Sequence, residues 1–152
     1  MKAIILRGMP GTGKSSYINK NYPNTFVCSA DHFFVNADGV YNFDPNQLGV
    51  AHKWCMRQFV KSVHRNYYEL DFTQKQDIVV DNTNITTLEW LPYYRVAEAF
   101  GFKVEIVQLI PKDIEICRRN VHGVPFETIE RMSVRWESVP KRYGIKTTII
   151  EV

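Results

Sequence analysis

Leu6-Arg7-Gly8-Met9-Pro10-Gly11-Thr12-Gly13-Lys14-Ser15-Ser16 follows directly on the short apolar run Ala3-Ile4-Ile5-Leu6. Gly8 to Ser15 fits the pattern GxxxxGK[ST], and a strand before it with a helix after it is the setting in which that pattern cradles phosphate. Glycine lets backbone N–H groups converge on phosphate oxygens, and the helix that follows adds its positive N-terminus. The expected nucleotide-binding residues are therefore Gly8, Met9, Pro10, Gly11, Thr12, Gly13, Lys14, Ser15 and Ser16. Lys14 is placed to reach the β- and γ-phosphates and the Ser15 hydroxyl to hold Mg²⁺. The bland reading, a glycine turn with an exposed lysine, does not explain the flanking strand and helix. A nucleoside triphosphate, ATP or GTP, with Mg²⁺ is the cofactor this stretch implies.

Working outward, five β-branched runs recur at Ala3–Leu6, Thr25–Ser29, Asp77–Val80, Lys103–Ile110 and Lys146–Val152, with room for a helix between successive runs. That alternation predicts a parallel sheet with crossover helices. The runs at Ile4 and Ile78 are nearly unbroken in apolar residues, as central strands covered on both faces should be. Asp44-Pro45 reads as an N-cap and first helical residue, and Leu48, Cys55, Phe59 and Val63 then share one face of a helix ending near Asn66. A second helix ends at Gly101; Pro92 sets its start near that proline, after a turn at the Thr86-x-x-Glu89 capping pattern. Pro125 opens a last helix with Ile129, Met132 and Trp136 on one face.

The 152 residues carry no linker, repeat or low-complexity tract, so a single domain over 1–152 is expected. The N-terminal apolar run is too short for a signal segment and no later stretch could span a bilayer. The three cysteines, Cys28, Cys55 and Cys117, are widely spaced without a CxxC pair, which argues against a disulfide framework or a zinc site and for a reducing cytoplasm. A net charge of +3 permits a polyanionic substrate without requiring one. Oligomeric state is not legible.

Three further segments carry candidate chemistry. In an open parallel sheet the ligand crevice lies beyond the carboxyl ends of the strands, so Asp31, in Cys28-Ser29-Ala30-Asp31-His32-Phe33, lands beside the phosphates. There it can take a proton from an attacking hydroxyl, and it can equally cap a short helix. Asp81, at the end of the third strand in Val79-Val80-Asp81-Asn82-Thr83-Asn84, sits where a carboxylate of the magnesium shell is expected, and the asparagines after it suit a turn. Cys117-Arg118-Arg119-Asn120-Val121-His122-Gly123-Val124-Pro125 reads as a mobile lid of about 117–127. Its Arg118 or Arg119 can neutralise charge on a transferring phosphoryl group; a solvated helix end is the alternative. Arg131 and Arg135 are spaced to extend a basic surface.

Taken together, GMPGTGKSS at 8–16, CSADHFF at 28–34, VVDNTN at 79–84 and CRRNVHGVPFETIERM at 117–132 resemble small P-loop kinases of the polynucleotide 5′-hydroxyl kinase type, within the wider group of AAA-type ATP-binding kinase-like proteins that includes phage enzymes and zeta-toxin relatives. The resemblance implies a three-layer α/β P-loop NTPase fold, with a five-stranded parallel sheet, its P-loop strand in the centre, and a small helical lid. It implies Asp31 as general base, Lys14 and Ser15 on phosphates and metal, Asp81 in the magnesium environment and Arg119 as a lid arginine. The implied activity is transfer of a γ-phosphate to the 5′-OH end of RNA or DNA; a small hydroxyl-bearing metabolite, or a nucleotide-dependent switch without transfer, are the alternatives. Two places depart from that family. An arginine that grips the acceptor's phosphate three residues after the base is Phe34 here, and a second lid arginine is replaced by Gly123, next to His122.

Overall fold

The computed structural model describes residues 1–152, with the side chain of Phe72 left out of the description. Five strands, β1 (Lys2–Arg7), β2 (Phe26–Cys28), β3 (Ile78–Asp81), β4 (Lys103–Ile110) and β5 (Lys146–Glu151), form one parallel sheet in the order β2-β3-β1-β4-β5. β1 is central: Ala3 pairs with Ile78 on one side and Val104 on the other. The expected α/β architecture with the phosphate-loop strand in the middle is present.

Alternation along β1 divides the core. Ala3 and Ile5 point towards helices α2 (Leu48–Tyr68) and α3 (Thr87–Ala99), where they meet Cys55, Phe59, Trp90 and Tyr93. Ile4 and Leu6 point the other way, to Ile18 of helix α1 (Lys14–Asn21) and to Val107 and Leu109 of β4. Ile4, Ile5 and Leu6 are fully buried, and each contributes about 1.5–3 kcal/mol relative to an exposed side chain. A strand apolar on both faces needs cover on both, so this run, like Ile78–Val80 of β3, belongs inside the sheet rather than at its edge.

Three boundaries differ from expectation. Helix α3 begins at Thr87 and carries Pro92 inside it. The amide that proline lacks would have reached the carbonyl of Leu88, in the first turn of the helix, so the break removes one bond close to the N-terminus. Asp44 caps a 3₁₀ turn, Pro45–Gln47, that leads into α2, and α2 continues past Asn66 to Tyr68. The last helix, α4 (Phe126–Val134), stops short of Trp136, which lies under the guanidinium of Arg7 with the cation 4.4 Å from the ring centroid. Among the described residues no helix is long and apolar enough to cross a membrane.

Candidate active site

The loop between β1 and α1 closes on itself. Met9 O accepts from Thr12 N at 3.3 Å and Thr12 Oγ1 at 2.9 Å, while Lys14 Nζ donates to Gly8 O at 2.9 Å and Met9 O at 3.2 Å. Gly13 caps α1 with φ +85°, left-handed backbone that an L side chain resists. Gly11 has φ +83°, and a Cβ there would stand 2.7 Å from Cys117 O. The lid touches the loop at that point. Gly11→Ala is therefore expected to cost about 1–2 kcal/mol in backbone strain alone, and to push the 3₁₀ turn Ile114–Arg119 off the loop. Thermal denaturation together with nucleotide titration checks it; a variant matching the parent in both would contradict the close approach.

Pro10 to Ser16 line a cleft of about 1100 Å³, together with Asp31, Asp81, Arg119 and His122. Of the expected binding residues, Gly8 and Met9 do not line it. Gly8 contributes its carbonyl to Lys14, and the Met9 side chain packs with Cys117 and Ile129 to join the loop to the lid.

Asp31 sits in a 3₁₀ turn, Ala30–Phe34, whose N-cap is Ser29: the Ser29 Oγ accepts from Asp31 N at 3.2 Å. The capping role is thus filled by another residue and the Asp31 carboxylate is free to face the cleft. Tyr41 Oη donates to its Oδ1 at 3.2 Å, and His122 Nε2 of the lid stands 3.6 Å from its Oδ2. Burial, then the neighbouring carboxylate, push the Tyr41 phenol up to about 12, so it stays protonated and acts as a donor.

The run Asp81-Asn82-Thr83-Asn84 does more than turn the chain. Asn82 Oδ1 accepts from Ala30 N at 2.9 Å, next to Asp31; Thr83 O accepts from Gly8 N at 3.0 Å; Asn84 Nδ2 donates to Leu6 O at 2.7 Å from a left-handed backbone, φ 48°. It brackets the phosphate loop and the Asp31 turn into one unit. Asp81 itself is half-buried; desolvation holds its carboxyl above the usual range, with Lys14 opposing, and desolvation likewise pulls Lys14 below its ordinary value. Asp81 Oδ1 is buried without a hydrogen-bond partner. An orphaned carboxylate oxygen in the same cleft as the Ser15 hydroxyl is a hard-oxygen pair of the kind Mg²⁺ takes, keeping its other positions for water and phosphate.

The two lid arginines separate. Arg119 lines the cleft and donates from Nε to Gly11 O at 3.0 Å. Arg118 does not reach it: its Nε is bonded to Glu115 and its guanidinium lies 3.6 Å over the Phe126 ring. In a 3₁₀ turn residues three apart eclipse, which stacks Arg118 on Glu115 and sends its neighbour elsewhere. Asn120 then staples the lid loop, accepting from Val124 N at 2.7 Å and donating to Val124 O at 3.1 Å. Arg135 is beyond the end of α4 and 3.6 Å from Glu89, so it does not extend a basic surface with Arg131. Tyr41, Asn82 and Asn84 are the site residues that sequence reasoning missed; the asparagines had a signal in the DNTN run, Tyr41 had none.

A family model described as AAA domain matches residues 4–132. The chain is 34% identical over 151 residues to human NEDD4-binding protein 2, covering 90% of this chain and 8% of that protein. In structure it superposes on a gluconokinase from Sinorhizobium meliloti with TM-score 0.59 at 11% identity, over 99% of this chain and 82% of that one. It superposes also on Chaetomium thermophilum Kti12 in complex with ADP-AlF3, TM-score 0.58 at 13% identity, over 98% and 88% of the two chains. The likeness is one of fold: an α/β P-loop NTPase architecture with a five-stranded parallel sheet.

Proposed function

Since the chain belongs to the AAA domain family, we propose that it is a Mg²⁺- and nucleoside triphosphate-dependent phosphotransferase, with the 5′-OH end of RNA or DNA as its acceptor. The observation that carries this is the meeting, in one cleft, of a phosphate loop, a lid arginine on that loop, and an Asp31 carboxylate that caps nothing. A carboxylate in that cleft that is not used to cap its own turn gives the proton of an attacking hydroxyl a place to go. The Kti12 structure, with its ADP, supports the nucleotide half of this reading.

In this scheme Lys14 leaves its carbonyl partners, Gly8 O and Met9 O, for the phosphates. Arg119 lies against the loop ready to meet charge on the transferring group. Asp31 accepts the acceptor's hydroxyl proton, while Tyr41 and His122 hold the carboxylate from either side. Ser15 and Asp81 would hold Mg²⁺, which supplies charge neutralisation at the phosphates. Incubation with γ-labelled ATP and Mg²⁺ against 5′-OH RNA, 5′-OH DNA, nucleosides and sugars tests it. Label on the nucleic-acid ends is the expected result, and label on sugars alone would replace the acceptor.

A second reading, a small-metabolite kinase, draws on Phe34. The residue is 6% exposed and packs edge-on to Phe33 and Phe43, so the phosphate grip expected at its position is replaced by core.

A further inference from the structure

Charge is segregated on α2. Its 21 residues contain Lys53, Arg57, Lys61 and Arg65 and no Asp or Glu, leaving 15 cations against 16 anions in the rest of the chain. The whole positive balance of the protein therefore sits on one helix. Ala51, Cys55, Phe59, Val63 and Asn66 take its buried side, and the four cations fall on the opposite, exposed side. Among the described residues none of the four has a carboxylate within ion-pair distance; the helix's one such contact is His64 with Glu69 at 3.4 Å. Unpaired cations repeated every fourth residue repel one another, a cost that a bound polyanion removes.

The row also has a direction. α2 begins at the cleft, where Leu48 and His52 are lining residues, and Lys53 is the next in sequence. From Lys53 to Arg65 the helix runs about 18 Å away from it. Beyond lie Tyr67 and Tyr68, 49% and 66% exposed, with ring centroids 4.7 Å apart. Exposed aromatics after a line of cations match how proteins hold single-stranded nucleic acid, phosphates on the charge and bases on the rings.

We propose that the exposed face of α2, from Lys53, one residue past the cleft-lining His52, to Tyr68, is a track for the backbone of a single-stranded nucleic acid whose 5′ end enters the cleft. It takes over the phosphate grip that Phe34 cannot supply. The proposal rests on the polynucleotide reading of the acceptor, and its test separates the two.

A short 5′-OH single strand labelled at its 3′ end is titrated with the protein by fluorescence anisotropy, without ATP, over a range of salt. The triple variant Lys53→Gln, Arg57→Gln, Lys61→Gln keeps helix propensity. Each lost phosphate contact removes about 0.7 from the slope of log affinity against log salt, so the expected loss is about 2. Affinity at low salt is expected to fall about tenfold or more. Lys112→Gln, Arg142→Gln, Lys146→Gln removes the same charge elsewhere and is expected to keep the slope. Equal slopes in the parent and the α2 variant would overturn the track, as would binding by the parent to phosphatidylserine vesicles but not to the strand. If the variant alone loses the slope yet no strand is phosphorylated by the parent, the track stands and the transfer reading falls. If strands are phosphorylated with the same KM by both, transfer stands and the track falls.

Discussion

Asp31→Asn is expected to lower phosphoryl transfer by about 10²–10⁴, the range for a positioned general base, with nucleotide affinity little changed. The substitution is a clean one because the backbone of the Ala30–Phe34 turn does not depend on the carboxylate. Ser29 Oγ caps the turn and Asn82 Oδ1 holds Ala30 N, so an asparagine at 31 inherits the same main chain. Its amide oxygen still accepts from Tyr41 Oη. What it loses is the capacity to bind a proton, together with the charge facing His122. Unaltered thermal stability with collapsed turnover would isolate the proton-accepting role. Full turnover would remove Asp31 from the chemistry, and the cleft would then be a nucleotide site without transfer.

The parts of this site that sequence made legible are those where local chemistry admits one solution. Gly8 to Ser15 lies between a strand and a helix, as the GxxxxGK[ST] pattern requires, and the both-faces-apolar runs at Ile4 and Ile78 belong to β1 and β3, both inside the sheet. The illegible parts are those where two neighbours compete for one role. Ser29 and Asp31 both qualify as N-caps, and only the backbone, extended at Ser29, assigns the cap. Local pattern leaves Arg118 and Arg119 alike, the resemblance alone pointing to Arg119, and what separates them physically is the 3₁₀ turn that stacks Arg118 on Glu115. Tyr41 reaches Asp31 only because the chain doubles back, Val35 bridging to Tyr41 and Asn42 N donating to Phe34 O at 2.8 Å. No periodicity encodes that return. Pro92 misled for the opposite reason: a strong local rule gave way where it removes a single bond, to Leu88 in the helix's first turn.

Arg7, which as a sequence letter merely ends an apolar strand, is expected to give the largest loss of stability in the molecule. The side chain is fully buried at the end of β1. Nε donates to Asn84 O at 2.6 Å, Nη1 to Gln108 Oε1 at 2.6 Å, and Nη2 to Ile85 O at 2.8 Å and Glu137 O at 2.7 Å. One guanidinium thus ties β1 to the turn after β3, to β4 and to the segment after α4, with Trp136 against its face. Burial lowers its pKa to about 10, with Glu89 and Glu137 opposing, so it remains charged at neutral pH. Arg7→Met keeps the length and removes every donor, leaving the Asn84 and Ile85 carbonyls and the Gln108 amide oxygen without that partner in buried surroundings, and the Glu137 carbonyl at a part-buried edge where water can replace it. Each such orphan costs about 1–3 kcal/mol; allowing for relaxation, the loss is about 3–5 kcal/mol, a drop of roughly 10 °C in Tm or more. Arg7→Lys rescues little, since one ammonium cannot span four acceptors in a plane. Gly8 follows Arg7 directly and its amide is held by Thr83 O, so nucleotide affinity is expected to fall along with stability. That joint loss is the opposite of the Asp31→Asn pattern, in which turnover falls alone. A variant at position 7 as stable as the parent would mean that the four bonds are formed at no net gain over water, and that the phosphate loop is held by its own hydrogen bonds and the lid.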